Sequence, residues 1–353
     1  MTDSGAPRLR VDDFAYDLPA EAIAQTPAEP RDASRLLMLD RSSGQTEHAQ
    51  FRDVGRWLNP GDLLVVNDSR VMPARLRAQR GTGGSVELVV LREIGATGAW
   101  EALVRPSRKV AVGETVMAGG QRIEVGERLA DGTRAIRFDG DPHAVMRAAG
   151  EIPLPPYIQD RSAPADRYQT VYADPLGSAA APTAGLHFTS ELLGDLAAAG
   201  VGRTSVTLHV GLDTFRPLEG EFFDEHHIHR EWYEVPQASR QAILATRKAG
   251  GRVVAVGTTS VRVIETAAAS GAAAGWTDLY ITPPHRFSRV DALITNFHLP
   301  RSSLLLLVTA FVQAGMPEGA TAYESRDVLL GAYREALGSG YLFFSFGDAM
   351  LIL

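Results

Sequence analysis

At 353 residues with a net charge of −7, the chain is long enough for two domains, or for one large domain carrying an insertion. Hydrophobic residues at 45% and charged residues at 22% sit near globular averages, which excludes wholesale disorder, a collagen-like fibre and a coiled coil. The lack of cysteine excludes disulfide scaffolds, thiolate zinc sites, iron–sulfur clusters and cysteine nucleophiles together.

The N-terminal MTDSGAPRLRVDD has no apolar core of signal-peptide length, so a cytoplasmic location is expected. RLLMLD reads as a strand and FRDVGRWL as a helix, both joining an α/β sheet. Between about Asp62 and Phe138 the pattern becomes short β-type runs broken by glycine: DLLVVN, SVELVVL, WEALV, ETVMA, QRIEV and TRAIRF. Such runs with little helical periodicity suggest a small antiparallel barrel. GTGGSVE precedes a strand and reads as a hairpin turn.

The connector EIPLPPYI, with prolines at 153, 155 and 156, fixes an extended path and marks a boundary. Beyond it helices and strands alternate. Thr189 caps a helix with Leu192, Leu193 and Leu196 on one face, and VTLHV follows as a strand. A helix near Ala238–Ala249 stops at Gly250 and Gly251, and RVVAVG is apolar almost throughout, as strands covered on both faces are. A helix after Ser260, the strands WTDLYI and DALIT, a helix capped by Ser302 or Ser303, another near Tyr323–Leu337 and a final strand YLFFSF complete the chain. The expected fold is α/β, a largely parallel sheet with flanking helices plus an inserted small antiparallel β-barrel domain. Residues 1–61 and 152–353 would form the α/β catalytic domain, and 62–151 the inserted barrel. The apolar run Leu304–Val312 falls well short of the roughly 20 residues needed to span a bilayer, so no membrane partner is expected.

In open α/β sheets ligands bind beyond the carboxyl ends of the strands. VTLHV leads to His209 and Gly211, RVVAVG to Thr258 and Thr259, DALIT to Asn296 and His298, and YLFFSF to Gly347 and Asp348. His187, in GLHFT, stands just before the helix capped by Thr189, where a positive helix N-terminus favours an anion or where a histidine simply packs. DEHHIHREW brings His226, His227, His229 and Glu231 close together, but it lacks the HExxH geometry, so polar substrate contacts are favoured over a metal. GxxxxGK[ST], GxSxG and a GxGxxG after a strand are all missing. Almost every basic residue is arginine, Lys109 and Lys248 being the lysines, and Arg70, Arg75, Arg77 and Arg80 follow one another without an intervening acid. That run reads as a solvated strand face, or as a local basic patch that acts despite the acidic total. Residue chemistry alone ends at an enzyme-like site of open reaction class.

The segments LNPGDLLVVNDSRVMPARL, GEIPLPPYI, AAPTAGLHFT, VTLHVGLDTFRPL, HHIHREWYEV, AVGTTSVRVIE, LITNFHLPRSSLLLLVTAF and FFSFGDAMLI closely resemble the S-adenosylmethionine:tRNA ribosyltransferase-isomerases of queuosine biosynthesis. The resemblance implies that S-adenosylmethionine serves as ribosyl donor and that the acceptor is 7-aminomethyl-7-deazaguanine at the wobble position of tRNA. In the mechanism proposed for the family a base removes a proton beside the sulfonium, adenine leaves and the ribose rearranges to an epoxide. The acceptor amine attacks C1′ and methionine departs, giving epoxyqueuosine. The family fold, an α/β domain with an inserted barrel, agrees with the texture above. Carried onto this chain, His187, His209, Glu231, His298 and Asp348 are the catalytic candidates, and Thr183, Gly185, Thr258, Thr259, Arg262 and Asn296 the substrate-binding ones. Arg70, Arg75 and Arg77 are the tRNA-binding candidates. S-adenosylmethionine is then a co-substrate, with no cofactor and no metal expected, and the chain is expected to be a monomer.

Three departures from the family pattern touch candidate site loops: Asp213 replaces a glycine in GLDTF, ITPPHRF differs from the usual glycine-tyrosine loop, and Phe346 stands where tyrosine is common. The competing readings are a non-catalytic RNA-binding module and, from the histidine cluster, a metal-dependent hydrolase acting on a small nucleotide.

Overall fold

The computed structural model describes residues 8–95, 98–129, 132–211, 218, 220–226, 228 and 230–353. Nine strands form one sheet in the order Ala274–Thr277, Glu231–Glu234, Gly202–Leu208, Leu63–Asn67, Val253–Val256, Ala292–Asn296, Ala349–Ile352, Arg35–Leu39 and Thr46–Gln50. The four consecutive strands from Gly202–Leu208 to Ala292–Asn296 are mutually parallel. Their residues alternate between two apolar cores. Leu63, Val65, Val253 and Ala255 face one, with the helices Ser303–Gln313 and Ala322–Gly338; Leu64, Val66, Val254 and Val256 face the other, with the helix Ser190–Ala198. Burial on both faces is why the stretches 63–66 and 253–256 carry a hydrophobic residue at every position.

The expectation of a largely parallel sheet is corrected to a mixed one. Four of its eight neighbouring pairs are parallel and four antiparallel. Parallel pairing needs long crossovers, which join the four middle strands and, across most of the chain, Arg35–Leu39 and Ala349–Ile352; Arg35–Leu39 and Thr46–Gln50 form a hairpin, and Glu231–Glu234 and Ala274–Thr277 extend the other side antiparallel.

The second sheet closes into a six-stranded antiparallel barrel. Arg75–Arg80, Ser85–Ile94, Ala99–Arg105, Arg134–Phe138, Gln121–Arg128 and Glu114–Ala118 pair in turn, and the last returns to the first. DLLVVN has the composition of these runs and is expected among them, but Leu63–Asn67 lies in the middle of the large sheet, every residue buried. The barrel strand Arg75–Arg80 was hidden behind its arginines: Leu76 and Ala78 point into the barrel core while the arginines point out. The barrel therefore lies within the connection between Leu63–Asn67 and its parallel neighbour Gly202–Leu208.

The helices form where their caps lie. Thr189 accepts from Leu192 N–H, Ser302 from Leu305 N–H and Thr321 from Glu324 N–H, each satisfying a donor that the first turn leaves free. YLFFSF is not a strand. The chain turns back there, Phe344 takes a φ of 70°, and Asp348 accepts from the backbone N–H of Leu342, so the strand starts only at Ala349–Ile352. Among the described residues no helix is long and apolar enough to cross a membrane.

Candidate active site

The carboxyl ends of Gly202–Leu208, Val253–Val256 and Ala292–Asn296 lie on one edge of the sheet, because these strands run in the same direction. Asp348 reaches that edge for the opposite reason: it precedes Ala349, which pairs with Asn296 at the start of an antiparallel strand. Glu231 arrives likewise at the start of Glu231–Glu234, whose register pairs Tyr233 with Leu208. The edge then divides into two parts.

One part opens into a cavity of about 970 Å³ between the sheet edge and the barrel. That volume lies at the upper end of the roughly 300–1,000 Å³ usual for ligand sites. His209, Gly211, Glu231 and Arg262 line it from the sheet side, and Leu91, Arg92, Trp100, Glu101 and Thr133 from the barrel. Glu231 and Arg262 form a buried ion pair, and Glu231 also accepts from Gly211 N–H at 2.9 Å. Arg262 donates its Nε–H to the Leu279 carbonyl at 3.1 Å. Its Nη2 is buried without a partner among the described residues, an arrangement that leaves a donor for a ligand acceptor.

His209 is fixed on three sides. Its Nδ1 shares a hydrogen bond of 2.9 Å with Ser69 Oγ, and its ring stacks on Trp232 at 5.3 Å between centroids, 19° from parallel. Its Nε2 faces Gly177, where a Cβ would come within 2.5 Å, so glycine is needed for the approach. Asn67 holds the strand end itself: its side-chain amide donates to Leu208 O and accepts from the N–H groups of Leu208 and Ser69. Burial lowers the pKa of His209, which keeps the imidazole neutral.

The other part is a closed polar network. His187 Nδ1 meets Ser34 Oγ at 2.8 Å, His187 Nε2 meets Asn296 Nδ2 at 3.2 Å, and the ring stacks on Phe51. Asn296 also accepts from Thr183 Oγ1 and donates to Phe344 O. Desolvation, and secondarily the Arg31 charge, lower His187 to about 4. His298 is bonded through Nε2 to Thr295 Oγ1 at 2.9 Å, and desolvation lowers it to about 3. Asp348, raised by desolvation, accepts from Arg35 N–H and Leu342 N–H. Gly185 packs against Tyr172 and Thr170. Gly257, at φ 87°, turns the strand Val253–Val256 into the helix Thr258–Ser270, which carries Thr258, Thr259 and, one turn on, Arg262.

The structure thus brings His209, Glu231 and Arg262 together on the large cavity, and His187, Thr183 and Asn296 together in a separate buried network. His298 and Asp348 are anchored by backbone and hydroxyl partners and do not line the cavity. Of the arginines, Arg75 pairs with Glu87, Arg77 with Glu151 and Arg80 with Glu114, acids far away in sequence. Arg70 is exposed. Asp213, His227 and His229 lie outside the described residues, and among those described no group of three or more His, Asp or Glu could hold a metal ion. Sequence reasoning missed Ser69, Gly177, Trp232 and Trp276; NDSR drew attention through its arginine, whereas Asn67 and Ser69 are what support the site.

Comparison with known proteins follows the same lines. The sequence profile of a family described as queuosine biosynthesis protein matches residues 11–352. A relative from Symbiobacterium thermophilum, named S-adenosylmethionine:tRNA ribosyltransferase-isomerase, is 49% identical over 98% of this chain and 100% of its own. One of the same name from Thermotoga maritima is 48% identical with the same coverage. The crystal structure of S-adenosylmethionine tRNA ribosyltransferase from Thermotoga maritima aligns over 97% of this chain and 100% of that one, with TM-score 0.55 and 40% identity. With the family profile matching residues 11–352 and relatives at about half identity covering nearly the whole chain, the chain belongs to the queuosine biosynthesis protein family.

Proposed function

We propose that the protein is an S-adenosylmethionine:tRNA ribosyltransferase-isomerase, which moves the ribosyl group of S-adenosylmethionine onto 7-aminomethyl-7-deazaguanine at the tRNA wobble position and releases adenine and methionine. What carries this is the near-complete coverage by relatives of that name at about half identity. The cavity suits the chemistry. Its volume accommodates a nucleoside-sized donor, and its walls combine an imidazole, a carboxylate and a buried guanidinium.

Within it, His209 is the base that takes the proton beside the sulfonium. Burial keeps it neutral, and the tautomer this role requires has Nδ1–H donating to Ser69 Oγ and the lone pair on Nε2, on the Gly177 side of the cavity. The free Nη2 of Arg262 is the donor for the donor substrate's carboxylate, with Glu231 and Leu279 O fixing the guanidinium plane. The network of His187, Asn296 and Thr183 shapes the floor of the neighbouring edge and leaves no ring nitrogen of His187 free. The protein works in the cytoplasm, where the tRNA is.

The test is turnover. Purified protein is incubated with S-adenosylmethionine and tRNA carrying the aminomethyl-deazaguanine base in metal-free buffer, and adenine, methionine and a mass-shifted nucleoside are measured. All three are expected. TRNA binding without adenine release would favour the non-catalytic RNA-binding module, and activity that chelator abolishes would favour the metal-dependent hydrolase.

A further inference from the structure

The cavity opens between a barrel strand and the free edge of the large sheet, and the rim of that opening has its own chemistry. Trp276, on the edge strand Ala274–Thr277, lines the cavity and is 46% exposed. It pairs in register with Trp232, so the two indoles stand side by side on one face of the sheet, Trp232 inside against His209 and Trp276 at the mouth. From the barrel, Arg92 reaches across the opening, its guanidinium 5.6 Å from the Trp276 ring centroid. Glu101 holds Arg92 through Nε at 2.8 Å, and Thr133 holds Glu101 at 2.7 Å, so the guanidinium is fixed while its side chain stays 53% exposed. Arg230 stands on the same rim, 66% exposed, with Asp278 at 3.8 Å; the acids Glu93 and Glu225 also line the cavity, and Glu225 is engaged by Arg8.

A large aromatic face at the mouth of a cavity, flanked by arginines on an acidic protein, suits an occupant that is both flat and anionic. An unpaired nucleotide is such an occupant. Base–aromatic stacking tolerates any base, and the neighbouring guanidinium meets the phosphate. We propose that Trp276 is a stacking platform for the unpaired nucleotide next to the modified base, with Arg92 contacting its phosphate, so that the reactive base is presented past Trp276 into the cavity. This rests on the tRNA-modifying reading above. It adds a subsite for the RNA at the mouth of the same cavity whose interior holds Arg262.

The experiment is equilibrium binding of an anticodon stem–loop RNA, followed by fluorescence anisotropy, to the wild type and to Trp276→Ala, Trp276→Leu, Trp276→Phe and Arg92→Ala. Loss of one stacked base weakens binding roughly 5- to 150-fold. Trp276→Ala and Trp276→Leu are expected in that range, Trp276→Phe within about threefold of the wild type, and Arg92→Ala is expected to lower the salt slope by about one. KM for S-adenosylmethionine should stay within about twofold in all four. Stem–loop binding by Trp276→Leu equal to the wild type overturns the proposal, as does an equal rise in KM for S-adenosylmethionine. Because binding is read without turnover, wild-type protein that binds the stem–loop through Trp276 but releases no adenine would sink the transferase function and leave the platform standing.

Discussion

His298 offers a direct measure of what burying a neutral imidazole costs this fold at low pH. Its folded-state pKa is about 3 against an ordinary 6.5, because the ring is desolvated, and its Nε2 meets Thr295 Oγ1. A histidine whose folded pKa is depressed binds fewer protons in the native state than in the unfolded one across that window. Stability is therefore fully present above about pH 6.5 and is lost as pH falls toward 3. Between pH 7 and pH 5 the linkage amounts to roughly 2 kcal/mol from this one side chain. At about 2.1 cal/mol/K of unfolding entropy per residue over 353 residues, that is about 3 °C in Tm. His298→Gln keeps an amide where Nε2 meets Thr295 and removes the titration. Its own Tm at pH 7 will be lower, but its further drop on going to pH 5 should be about 3 °C smaller than the wild type's in scanning calorimetry. Asp348 and Asp68, raised by burial, work in the opposite direction, and they cancel when the two proteins are compared. If both proteins lose the same number of degrees, His298 is not held neutral by its surroundings and the account of its role is wrong.

Glu231→Ala would leave the Arg262 guanidinium buried without its counter-ion, a loss of about 3–5 kcal/mol that urea unfolding should register, together with a collapse of turnover. A variant as stable as the wild type would mean that water reaches the pair freely. Gly177→Ala places a methyl 2.5 Å from His209 Nε2, so the imidazole must move off its Trp232 stack. Turnover is expected to fall at least tenfold with Tm nearly unchanged, and undiminished kcat would remove His209 as the base.

Much of this protein is determined by its sequence alone. The helix caps at Thr189, Ser302 and Thr321 act through hydrogen bonds three residues away, so they are legible without knowing the rest of the fold. The short glycine-bounded runs marked five of the six barrel strands for the same reason, since alternation is local. Runs of family motifs identified the reaction class, because they span the whole chain.

What the tertiary structure decided concerns partners distant in the chain. Leu63–Asn67 looks like its barrel neighbours in composition, and only pairing with Gly202–Leu208 and Val253–Val256 places it in the large sheet. The arginines at 75, 77 and 80 look unopposed along the sequence and meet Glu87, Glu151 and Glu114 in space. Five candidate catalytic residues carry equal weight as letters. Folding puts His209 and Glu231 on an open cavity and encloses His187, His298 and Asp348 among hydroxyl, amide and backbone partners. Trp276, an ordinary strand residue in the sequence, becomes part of the cavity mouth only because an arginine of a different sheet arrives above it. Backbone propensity and capping act over a few residues and can be read from the chain; burial, charge pairing and the walls of a cavity are made between separate segments, from Arg75 and Glu87 in one hairpin to Ser69 and His209 in different parts of the chain, and so exist only once the chain has folded.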